Sequence, residues 1–136
     1  MFQDFTQDSG YLVALALTLR LVPQALLFGG IPCQSFGYMS VGTHKRTGAA
    51  PWGESQHPFV WIGNVCATRF ALLAILATVR NCKWVFEQPG GTTIHHLPPI
   101  RFLLDPIFTP RSTRWWAPEK FSPAPICVAV PLGGWV

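Results

Sequence analysis

The chain has 136 residues, of which 49% are apolar and only 12% charged, a length and a composition that fit one domain with a real core and exclude an intrinsically disordered chain. Ten Lys and Arg against six Asp and Glu give a formal +4, a mild preference for polyanions that is weak evidence for a nucleic-acid partner on its own. The cysteines Cys33, Cys66, Cys82 and Cys127 are widely spaced, with no Cys-x-x-Cys pair and no Cys/His ligand spacing, so no metal site is expected.

Met1 to Ser9 is polar and reads as a frayed entry, with Ser9 placed to cap the next segment. Tyr11 to Val22 is rich in Leu and Ala and apolar nearly all round, which predicts a helix covered on most sides and ended by Pro23. Both Tyr11–Gly30 and Phe59–Val79 approach the roughly 20 apolar residues of a membrane span. Arg20 and Pro23 interrupt the first, and Asn64 and Arg69 the second, which leaves membrane association a minor alternative. The start of the sequence carries no leader pattern, so an intracellular location, nuclear or cytoplasmic, with reduced thiols is expected.

Leu26-Leu27-Phe28 then runs into Gly29-Gly30-Ile31-Pro32-Cys33-Gln34-Ser35-Phe36. This reads as a strand buried on both faces, ending in a turn that carries a cysteine at its carboxyl end, where α/β sheets collect ligands. Gly37 to Pro58 is expected to be one long irregular loop, a lid or an insertion. Its basic cluster His44-Lys45-Arg46 is either a solvated turn or a holder of phosphate or carboxylate.

Phe59 to Arg80 predicts the longest helix, and Arg69 and Arg80, eleven residues apart in the sequence, fall on one polar edge of it. Lys83-Trp84-Val85-Phe86 reads as a second strand, ending in Glu87-Gln88-Pro89-Gly90-Gly91. A strand, helix, strand unit closes with parallel strands, which would bring Cys33 and Glu87 to one sheet edge. Residues 92–99 are expected to form a turn or short helix, and Ile100 to Leu104 a short apolar element. The fold expected is therefore α/β, a partial Rossmann-like parallel sheet with flanking helices over 1–104. From 105 to 136 an irregular extension rich in Pro, Gly and Trp follows, with one edge strand near Cys127–Val130.

Gly-Ile-Pro-Cys-Gln-Ser-Phe taken together with Val-Phe-Glu-Gln-Pro resembles the catalytic half of the DNA cytosine-5 methyltransferase family. That family carries Gly-Pro-Pro-Cys-Gln-Ser-Phe after one strand and an apolar-Glu-Asn-Val motif after the next. The resemblance covers Leu26 to Gly91 and implies that Cys33 is the nucleophile that adds to C6 of cytosine, while Glu87 hydrogen-bonds the base near N3. It further implies that Gln34, Ser35, Arg46 and Gln88 contact the substrate, that the base is flipped out of DNA, and that S-adenosylmethionine is the methyl donor. Ile31 stands where the family has proline, Gln88-Pro89 where it has Asn-Val, and no Phe-x-Gly-x-Gly donor-binding turn occurs in the sequence. The expectation is an incomplete or degenerate copy, with a protein partner covering the exposed sheet edge.

Bland readings stand beside these. Cys33 could be a structural thiol and Glu87 an ion-pair partner of Arg46 or Arg69, while Lys45, Arg46 and Arg69 are the cations available to lower the thiol pKa. His95-His96 is a weak candidate for a general base, and Trp115-Trp116 with Arg111 and Arg114 for base stacking. Three classes of function follow: the methyltransferase-like domain, a non-catalytic binding or scaffold module, and a membrane-associated small subunit.

Overall fold

Two strands and the helix between them form the frame on which everything else packs. The computed structural model describes residues 4–105 and, as backbone, 125–129. In chain order the elements are α1 (Asp8–Leu19), β1 (Leu26–Gly30), α2 (Val41–His44), α3 (Pro58–Val79), β2 (Lys83–Pro89), α4 (Pro98–Leu103) and β3 (Pro125–Ala129), with 3₁₀ turns at Tyr38–Ser40 and Ile94–His96. β1 and β2 pair in parallel, Leu26 opposite Lys83 through Gly30 opposite Glu87, and β3 pairs antiparallel with the other edge of β2. The fold is α/β. The remainder of the C-terminal region, including Trp115-Trp116, lies outside the described residues.

α3 packs on one face of the sheet. Ala67, Ala71 and Ala74 give it a small-residue surface that lets Phe70 reach the strands, edge-on to Trp84 at 6.4 Å and to Phe86 at 5.9 Å between ring centroids. Ile94, Leu97, Ile100 and Leu103 close the core from the α4 side. The apolar run 100–104 is thus helical: Pro98 and Pro99 begin α4, positions at which proline suits a helix. By length and composition alone α3 could cross a membrane, but here it is the helix that the sheet, α1 and α4 pack against.

The expectation that β1 is buried on both faces is corrected. Leu27 and Gly29 face α3, whereas Leu26 and Phe28 are exposed, so among the described residues the sheet is covered on one side, while the run is apolar on both. α1 likewise exposes Leu12, Val13, Leu17 and Leu19, since α3 takes only one of its faces. It begins at Asp8 with Gln7 at the cap position, and Ser9 lies inside the first turn rather than capping it. The polar edge of α3 is used to hold its neighbour. Arg69 donates to the carbonyls of Phe5 and Gln7 and pairs with Asp8, while Arg80 donates to Leu21 O. The two arginines fasten both ends of the α1 segment to α3.

Candidate nucleophile pocket

β1 stops at Gly30, and the chain beyond it is fixed at two points on either side of Cys33. The first is Ile31, whose carbonyl accepts a 2.6 Å hydrogen bond from Gln88 Nε2; Gln88 Oε1 in turn accepts from the Thr92 hydroxyl. The second is Phe36, fully buried, whose carbonyl accepts from both the amide and the hydroxyl of Thr93. Between them the Cys33 carbonyl accepts from the amides of Phe36 and Gly37, making a turn that leaves Cys33 exposed at its head. One fixed point ties the turn to β2 itself, through Gln88, and the other to the segment that follows it, through Thr93, so the turn moves with β2 and not independently of it.

Glu87 faces the same space. It lies opposite Gly30 and is exposed, and its side chain has no hydrogen-bond or ion-pair partner among the described residues. Gly30, Ile31, Pro32, Cys33, Glu87, Gln88 and Pro89 line one shallow depression of about 260 Å³. A Cβ on Gly30 would meet no atom within 4 Å, so this glycine keeps the depression open. Chemically it offers a thiol and a carboxylate over a floor of aliphatic Ile31, Pro32 and Pro89.

The other residues expected at the site divide. Gln88 borders the depression, but both ends of its amide are spent on Ile31 and Thr92. Gln34 is exposed beside the turn, its carbonyl accepting from the Ser40 hydroxyl, and does not line the depression. Ser35 and Arg46 are buried together under the start of α3. The Arg46 guanidinium donates to Pro51 O, Asn64 Oδ1, Ser35 Oγ and Val60 O and lies 4.0 Å over the Phe36 ring. Burial pushes its pKa down to about 10, which leaves it charged at neutral pH. Arg46 is therefore a bolt between the loop and α3 and not a group turned to a ligand.

Neither Arg46 nor Arg69 pairs with Glu87, which corrects the ion-pair expectation, and Lys45 is taken by Glu54 at 3.0 Å on the surface. All three cations named as possible activators of Cys33 are thus engaged elsewhere. The loop 37–58 is also more ordered than expected, because it contains a 3₁₀ turn and α2. Cys66, by contrast with Cys33, is buried, and burial raises its thiol pKa, with Asp4 adding to the effect.

Two features went unread in the sequence. His44 and His57 meet with ring centroids 4.4 Å apart, and Nδ1 of each is buried without a hydrogen-bond partner among the described residues. Burial holds the His44 pKa below its ordinary value, and the neighbouring His57 and Arg46 push the same way. No local pattern marks the pair, since they are brought together only when Arg46 folds the loop back. A second, apolar depression of about 340 Å³ lies between Trp52 and the Asn64, Val65, Thr68 and Arg69 side of α3. The His95-His96 rings lie 4.0 Å apart, and His95 has its pKa lowered by burial first and by His96 second.

Comparison with models of known families, with curated proteins and with solved structures gives no match to this chain.

Proposed function

We propose that the chain is a DNA cytosine-5 methyltransferase-like domain whose Cys33–Glu87 pocket receives a cytosine extruded from DNA. The single observation that carries this reading is that the parallel β1–β2 pair sets the Pro-Cys-Gln turn and the strand-ending glutamate around one depression. We read β1, α3 and β2 as part of a Rossmann-like sheet. At about 260 Å³ the depression falls below the roughly 300–1,000 Å³ typical of drug-sized sites, which suits one ring.

The step open to this chain's own residues is addition. The Cys33 sulfur bonds to C6 of the base as the C5=C6 π bond breaks, its proton leaves to solvent, and C5 takes a proton from water; elimination reverses the step. The Glu87 carboxyl hydrogen-bonds N3 through a proton held between the two and spreads the charge that develops in the ring. S-adenosylmethionine, which the resemblance implies, does not fit the described residues. No Phe-x-Gly-x-Gly turn joins a strand to a helix there, and the space behind Gly29 is filled by the Phe70 ring.

A DNA duplex carrying 5-azacytosine tests the reading, because after attack at C6 the ring nitrogen N5 takes a proton and the adduct survives denaturing electrophoresis. The wild-type chain is expected to form the adduct, Cys33→Ser to form none, and Glu87→Gln to form it at least about 100-fold more slowly. No adduct with the wild-type chain would sink the reading. A second reading, a non-catalytic binding module, is favoured by the open sheet face with its exposed Leu26 and Phe28. It expects partner binding that Cys33→Ser leaves unchanged.

A further inference from the structure

At the end of the sheet opposite the Cys33 pocket, four chain segments meet: the end of α1, the turn into β1, the end of α3 and the start of β2. Hydrogen bonds join them directly, Gln24 N to Asn81 O at 2.8 Å, Lys83 N to Ala25 O at 2.8 Å and Arg80 Nη2 to Leu21 O at 3.2 Å. Here Val22, Leu26 and Val79 are 68%, 60% and 78% exposed, each from a different one of these segments. Arg20, Arg80 and Lys83 stand among them, Lys83 being the register partner of Leu26.

Among the described residues the charge at this end is of one sign. From Ser9 to Gly53 and from Ser55 to Phe86 the sequence has no Asp or Glu, and Arg20 and Lys83 have no carboxylate partner among the described residues. Unpaired cations interleaved with exposed aliphatic groups combine two requirements of an interfacial membrane site, attraction to anionic headgroups and apolar surface to sink between them.

Charge and side-chain type discriminate among occupants. A second copy docking the same end would bring like charges together, which opposes self-association. A nucleic acid would satisfy the cations but gain nothing from Val22, Leu26 and Val79, and none of these residues is an aromatic on which a base stacks. An anionic bilayer uses both. We propose that this end of the molecule is a peripheral docking surface for an anionic lipid bilayer, with Val22, Leu26 and Val79 inserted at headgroup level and Arg20, Arg80 and Lys83 against lipid phosphates. The proposal is independent of the reading of the Cys33 pocket, which lies at the other end of the strands.

Flotation of the full chain with vesicles of phosphatidylcholine, with and without phosphatidylserine, tests it. The protein is expected to float with the anionic vesicles and not with phosphatidylcholine alone, and to release as salt is raised. Removing Arg20 and Lys83 together (R20Q/K83Q) should weaken partition about 25-fold, roughly fivefold for each cation. V22S/V79S, conservative changes at exposed positions, should weaken it about as much at constant charge, and circular dichroism melts should be unchanged in both variants. Failure to float with anionic vesicles would overturn the proposal, as would flotation that both folded variants retain. A DNA duplex bound through these residues in place of the vesicles, or a dimer in solution that V22S/V79S dissolves, would overturn it as well.

Discussion

Gly29 shows what a single hydrogen atom allows. A Cβ built there would lie 2.2 Å from Cε2 of Phe70, the ring that also packs edge-on to Trp84 and Phe86. Gly29→Ala is therefore expected to cost about 1–3 kcal/mol in urea denaturation, and Phe70→Leu in the same chain to recover part of that loss, since it removes the colliding edge. The neighbouring Gly30→Ala should be close to neutral, because its Cβ meets open space. The glycine pair was legible in the sequence as a break in the apolar run. Its reasons, close approach of a ring at one position and an open pocket at the next, depend on Phe70 and Glu87 and could not be read locally. His44 makes a second case at this scale. Its folded-state pKa is held below the ordinary value of 6.5, by burial first and then by His57 and Arg46, so the unfolded chain binds the extra proton more readily. Its contribution to stability is complete above pH 6.5 and is lost as pH falls from there through the lowered folded-state value. His95 acts in the same direction. Thermal melts between about pH 7.5 and 4.5 should show this fall, and His44→Phe should flatten it relative to wild type; identical pH slopes in the two proteins would refute the assignment.

At the scale of elements, the loop between β1 and α3 holds its shape through Arg46. Removing the guanidinium leaves Ser35 Oγ, Asn64 Oδ1 and the carbonyls of Pro51 and Val60 without that donor, and uncovers the Phe36 ring beneath. Arg46→Met keeps much of the side-chain volume and should still cost about 2–4 kcal/mol, with limited proteolysis moving to the 45–57 segment. Cleavage unchanged in that segment would show that the loop holds without the bolt. Gly63 belongs to the same device, since a Cβ there would come 2.5 Å from Ser35 Oγ and 2.9 Å from Phe36 Cε2. The sequence made α3 and β2 plain, because Pro58, the Leu/Ala-rich run and the β-branched and aromatic run each carry a strong local preference. It concealed the rest of the loop, whose order comes from one long-range cation. It also misplaced exposure: α1 and β1 are apolar on faces that the fold leaves bare, and composition cannot separate a face that is covered from one that merely could be.

For the molecule as a whole, the parallel β1–β2 pair sets the two ends of the strands to different uses. The carboxyl end carries the Cys33 turn and Glu87, and the amino end carries the cationic aliphatic surface of Val22, Leu26 and Val79. The parallel arrangement was legible because a helix joining two strands leaves little other choice, and from it the meeting of Cys33 with Glu87 followed. What could not be read was that Arg46 and Ser35 turn inward, since a buried arginine and a ligand-binding arginine look alike in sequence. Access to the pocket can be separated from the reactivity of its thiol. Maleimide labelling mapped by mass spectrometry should modify Cys33 in the native protein and reach Cys66 and Cys82 only on unfolding, as their exposures dictate. Gly30→Leu would place a side chain in the depression beside Glu87 without meeting an existing atom within 4 Å at its Cβ, so the fold should keep its melting temperature. In that variant Cys33 should still take maleimide, while the adduct with 5-azacytosine DNA falls at least about tenfold, the loss expected when a substrate is displaced from its reacting position. Equal loss of both reactions would mean that the leucine merely buries the thiol. Loss of neither would mean that the space between Gly30 and Glu87 is not where the base sits.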